Sequence, residues 1–186
     1  MGKGYQRLYL RAPFREEVLI SDGEFTGIAS GVNISEGGML VGHNPFYPRI
    51  PDAIYLTLKL QFYPHFKNLS LERLKFLELE LHPQRVLHFK AKVVREIKGE
   101  SLGIANGMGV EFQLKREHST LLLKEYVQSF STNLIYLQFL FDNLSSDSTI
   151  KQKVNKILLI LNYPTELGLS MMNKMVRQDY QNLKWL

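Results

Sequence analysis

The sequence predicts a mainly β fold: a small antiparallel barrel of six to seven strands, followed by a C-terminal α-helical extension. Three observations carry this reading. Up to about residue 116, apolar residues alternate with polar ones, the period of a half-buried strand. From residue 117 they recur every three or four positions, the period of an amphipathic helix. Gly, Pro and Asn clusters punctuate the alternating runs. The expected division is a barrel with an N-terminal arm over residues 1–116 and about three helices over 117–186.

Taken in order, the first strands are short runs at 18–20, 25–34 and 39–41. Leu56, Leu58, Leu60 and Phe62 then alternate with Tyr55, Thr57, Lys59 and Gln61. The same alternation places Leu77, Leu79 and Leu81 opposite Glu78, Glu80 and His82. It recurs for Leu87, Phe89, Ala91 and Val93 against His88, Lys90 and Lys92, and for Val110, Phe112 and Leu114 against Glu111, Gln113 and Lys115. Turns fall at Asp22-Gly23, 42–51 and 103–107. Beyond 117, Leu123, Tyr126, Val127, Phe130, Leu134, Leu137, Phe141 and Leu144 mark one long helix. Residues 145–148 form a loop whose end can cap a second helix carrying Val154, Ile157, Leu158 and Leu161. Pro164 is placed to open a third, striped by Met172, Met175, Val176, Tyr180 and Leu183.

Composition narrows the function. The 186 residues include no cysteine, which excludes disulfides, thiolate zinc sites and a cysteine nucleophile. Met1-Gly-Lys-Gly-Tyr has no apolar run behind its charge, so no signal peptide is expected. The longest apolar stretch, Leu134 to Phe141, is too short to span a bilayer. A cytoplasmic protein is the expectation. Net charge is +5; residues 1–116 carry 16 Lys/Arg against 12 Asp/Glu, and this excess suits an anionic partner. The five histidines (His43, His65, His82, His88 and His118) show no metal-binding spacing, and no serine elbow or Gly-rich phosphate loop is present. The site chemistry of an enzyme is therefore not expected, nor is a cofactor.

Two motifs remain. Arg11-Ala12-Pro13-Phe14-Arg15 is an RxxxR on a stretch that Pro13 keeps extended. Residues four apart on such a chain point the same way, about 13 Å apart. Each guanidinium fork pairs with a phosphate or with the O6/N7 edge of guanine. Asn33-Ile34-Ser35-Glu36-Gly37-Gly38 follows, with Asn33 and Ser35 on one face and Ile34 toward the core. Asn offers donor and acceptor to a base edge, and Ser a hydroxyl. Gly37-Gly38 admits positive φ and a close approach to the backbone. Taken singly, a solvated basic arm and a plain hairpin turn explain these motifs as well.

Together they resemble the PilZ family of bacterial cyclic di-GMP receptors, in which RxxxR precedes [Asp/Asn]xSxxG by about twenty residues. The likeness covers roughly residues 5–130 and includes the strands at 51–62 and 90–97, the closing Gly107-Met-Gly-Val-Glu-Phe112, and the helix that follows. It implies a PilZ-type barrel binding cyclic di-GMP. Arg11 and Arg15 would be the clamp, Asn33 would hydrogen-bond a guanine, Ser35 would meet a phosphate or base, and Gly38 would leave room. The chain departs from the pattern in having Asn33 where Asp is commoner, and Arg7 opens a second RxxxR register. Residues 64–84 are longer than the usual connection and read as an extra hairpin.

The resemblance implies a ligand-gated adaptor: the ligand would pull a flexible arm at 5–15 against Asn33 and Ser35 and so signal to a protein partner. The helices would serve as output or as a homo-oligomer interface, or would pack on the barrel or among themselves. Two rivals stand beside this reading. One is a PilZ-fold interaction module that binds no nucleotide. The other is a single-stranded nucleic-acid-binding barrel using Phe14, Phe25, Tyr55 and Phe89.

Overall fold

The computed structural model describes residues 9–42, 46, 49, 51–77, 84–97, 107–113, 117–144 and 147–184. Its strands are β1 (Arg11–Pro13), β2 (Glu17–Ser21), β3 (Thr26–Ser35), β4 (Gly38–Gly42), β5 (Ala53–Gln61), β6 (Gln84–Ile97) and β7 (Gly107–Gln113). All pairings are antiparallel. Six strands run β3-β2-β5-β6-β7-β4, and β4 pairs back onto β3, which closes them into a barrel. The alternation legible in the sequence fills it: Val18, Ile20, Ile34, Leu56, Leu58, Phe89 and Phe112 are buried, with the last two rings stacked at 4.3 Å. Outward positions carry Leu19, Ile28 and Tyr55, each about half exposed.

The first hairpin shows how the turn chemistry works. Gly23 takes φ +100°, and the Asp22 carboxylate accepts the amides of Glu24 (3.0 Å) and Phe25 (2.8 Å). These bonds, the Phe25 one foremost, hold the Asp22 carboxyl below the ordinary aspartate range, with Arg49 at 3.8 Å adding to the effect.

The helices are α1 (Leu71–Phe76), α2 (Glu117–Asp142), α3 (Ser148–Ile160) and α4 (Gly168–Lys184). Asp147 caps α3 by accepting from the Thr149 amide at 2.7 Å. Pro164 does not open α4 directly. A 3-10 turn at Thr165–Leu167 intervenes, and Gly168, at φ +78°, redirects the chain.

The extra hairpin expected at 64–84 is instead helical in its described part. Phe66–Asn68 is a 3-10 turn, and Ser70 caps α1 by accepting from the Arg73 amide at 3.3 Å. Leu77 ends that helix in αR conformation, while Leu79 and Leu81 lie outside the described residues, as does Leu114.

Two compact units interleave along the chain. One comprises the described parts of Leu8–Gln61 and Gln84–Val127; the other includes those of Phe62–Pro83 and Gln128–Leu186. The reason lies in buried polar bonds within the second unit. Asn133 of α2, 1% exposed, accepts the Phe66 amide (2.9 Å) and donates to the Pro64 carbonyl (3.0 Å). Lys153 of α3 donates to the Leu69 carbonyl at 3.2 Å. These tie the insertion to the helices. Within this unit Val154, Ile157, Leu158, Met172 and Val176 are buried, and the Tyr163 hydroxyl donates to Asp179 at 2.6 Å. No described helix is long and apolar enough to cross a membrane.

Candidate ligand-binding face

The site grows from an unequal strand length. β3 has ten residues, but β2 pairs only with its first half, Thr26 to Ser30. The unmatched edge at Asn33–Ser35 is taken by β1, with Arg11 opposite Ser35, Ala12 opposite Ile34 and Pro13 opposite Asn33. Pro13 lacks an amide hydrogen, so β1 suits an outer position. Bonds from the Phe14 amide to Val32 O (3.0 Å) and from the Gly31 amide to Glu16 O (2.8 Å) carry the pairing on past Arg15. The described part of the arm is thus paired with β3 as a strand over Arg11–Pro13. Arg7 lies outside the described residues.

Directly opposed residues in an antiparallel pair share a face. Arg11 and Pro13 thus share theirs with Ser35 and Asn33, while Ala12, Phe14 and Ile34 are buried on the other side. Arg15 lies two residues past the end of β1, and both arginines are half-buried. The two sequence motifs, some twenty residues apart, meet on one surface.

Polar detail distinguishes its members. The Ser35 side chain is 5% exposed, and its hydroxyl donates to Gly38 O at 3.0 Å, leaving its lone pairs as acceptors. Asn33 Oδ1 is buried and, among the described residues, has no hydrogen-bond partner. An orphaned buried acceptor costs about 1–3 kcal/mol, and Gln138 Oε1 of α2 is in the same position.

The paired glycines have a different basis from the one expected. Neither takes positive φ, which among the described glycines is confined to Gly23 and Gly168. At Gly38 a side chain would run into Val110 O, and Glu111 Cα stands 3.1 Å away, so this glycine is required by the approach of β7. At Gly37 the place of a Cβ is filled by the Tyr9 ring, with Cδ2 at 2.7 Å and Cε2 at 2.9 Å. Sequence reasoning passed over both Tyr9 and Gly31. At Gly31 a Cβ would strike the Phe14 ring, and the ladder with β4 shifts register beside it. A lone glycine inside an alternating run was the available signal.

Among the described residues no group of His, Asp or Glu could hold a metal ion. His88 Nδ1 lies 2.9 Å from Thr57 Oγ1 on the barrel exterior, and His43 and His82 lie outside the described residues. Of the four aromatics considered for base stacking, Phe14 and Phe89 are core residues; Phe14 meets Tyr126 edge-on at 6.1 Å.

No family model matches the chain, and no curated protein matches it. Solved structures do. The PilZ domain of YcgR from Escherichia coli, with c-di-GMP, aligns at 14% identity and a TM-score of 0.40, over 67% of this chain and 91% of that one. The chain is similar to a PilZ domain. The Bacillus subtilis inhibitor of motility MotI/DgrA aligns at 18% identity and a TM-score of 0.48, over 69% of this chain and 51% of that one. YcgR of Escherichia coli in complex with c-di-GMP aligns at 12% identity and a TM-score of 0.45, over 75% and 51%. The chain matches about half the length of each of these last two.

Proposed function

We propose that this protein is a cyclic di-GMP receptor that changes conformation on binding and signals to a protein partner. The observation that supports the reading is the β1–β3 register, in which Arg11 opposes Ser35 and Pro13 opposes Asn33, with Arg15 two residues beyond the end of β1. The two arginine forks grip phosphate and the O6/N7 edge of guanine. Asn33, half-buried at the edge of β3 that β1 takes, turns its side-chain amide to a guanine edge. Ser35, whose own hydrogen is committed to Gly38 O, adds an acceptor to the same base edge rather than a donor to phosphate. Gly38 serves by keeping β4 against β7. The role is binding rather than catalysis, and ligand docked on the face that the arm shares with β3 shifts a population of conformers that the partner reads.

The nucleic-acid rival loses support, since half of its stacking residues are buried in the barrel. The decisive experiment is titration calorimetry of cyclic di-GMP against the intact chain, Arg11→Ala and Arg15→Ala. Saturable binding by the parent, lost in both variants, is expected. A parent that takes up no ligand at high concentration would refute the receptor reading and leave the interaction module.

A further inference from the structure

Tyr9 lies two residues before β1, and Gly37 lies in the turn between β3 and β4. The Tyr9 ring occupies the space a residue 37 side chain would need, which sets it beside the turn that follows Asn33 and Ser35. Tyr9 is 41% exposed, so the residue is seated on the glycine without being buried.

We infer that Tyr9 is a stacking platform for a guanine of the bound dinucleotide, an assignment that rests on the receptor reading above. With the Tyr9 ring beside the β3–β4 turn and Arg11 opposite Ser35 at the end of β3, one purine presents its π-face to Tyr9 while its O6/N7 edge meets the Arg11 fork. An aromatic on a nucleobase is sequence-tolerant, and here the arginine supplies the choice of guanine. The glycine seat matters because it fixes the ring before ligand arrives, so little side-chain freedom is lost on binding. Gly37 and Gly38 thus serve separate ends, one seating the platform and the other admitting β7.

The test is a cyclic di-GMP titration of the parent, Tyr9→Phe, Tyr9→Ala and Gly37→Ala, with the guanine H8 resonance followed in each complex. Tyr9→Phe should bind like the parent and keep an upfield ring-current shift of H8. Tyr9→Ala should bind about 5- to 100-fold more weakly, the effect of removing one base–aromatic stack, and lose that shift. Gly37→Ala, which pushes the ring off its seat, should weaken binding in the same direction. Tyr9→Ala binding as tightly as the parent, or an H8 resonance unmoved between them, overturns the platform while leaving the receptor intact. A parent that does not bind overturns both.

Discussion

Gly38→Ala isolates a structural demand that resembles a ligand demand. The new methyl would run into Val110 O, with Glu111 Cα 3.1 Å away, and these are backbone atoms that no rotamer change can move. The strands must part where Gly38 opposes Glu111 and Met39 opposes Val110. Overpacking of this kind costs about 1–3 kcal/mol. Losing the bond from the Phe112 amide to Gly37 O, now 3.0 Å, adds about 0.5–1.5 kcal/mol. Together they amount to about 2–4 kcal/mol, or roughly 5–15 °C in melting temperature for a chain of this size. Thermal unfolding followed by circular dichroism, without nucleotide, reads this directly. Gly23→Ala is the comparison: φ is +100° but nothing stands within 4 Å, so only backbone strain of about 1–2 kcal/mol is expected. A Gly38→Ala protein melting within about 1 °C of the parent would show that β7 does not need the glycine.

Other expectations concern the rest of the molecule. Asn133→Ala leaves the Phe66 amide and the Pro64 carbonyl without their buried partner, so a loss of about 2–4 kcal/mol is expected in urea unfolding; an unchanged midpoint would contradict the anchoring role. At Asp22 the folded carboxyl titrates below its unfolded value. Its contribution is therefore present above the unfolded value of about 3.9 and is lost as pH falls through the lower folded value. The melting-temperature gap between the parent and Asp22→Asn should be widest above the unfolded value and narrow as pH falls below it; a gap independent of pH would contradict it.

The alternating runs made β2 to β7 legible because one-sided burial leaves a period of two in the sequence. The change of period near 117 likewise marked α2, and Asp147 announced α3. What escaped was what depends on contacts between distant segments. β1 is a strand because β3 outruns β2, a length mismatch no local pattern records. Residues 66–76 turn helical where Ser70 can cap, and are held by Asn133 from far along the chain. The candidate site was legible as residue types, Arg11, Arg15, Asn33, Ser35 and Gly38, but not as a surface. Register joined Arg11 to Asn33 and Ser35, and close packing added Tyr9 and gave Gly37 and Gly38 reasons that a turn signal does not contain.

The most direct measurement is an amide chemical-shift map of the protein titrated with cyclic di-GMP. Perturbations concentrated at 9–15 and 33–38 are predicted, with the Asn33 side-chain amide among the largest. Saturating shifts confined to another part of the barrel or to the helices, or no shifts at all, would contradict a ligand face built on the β1–β3 register.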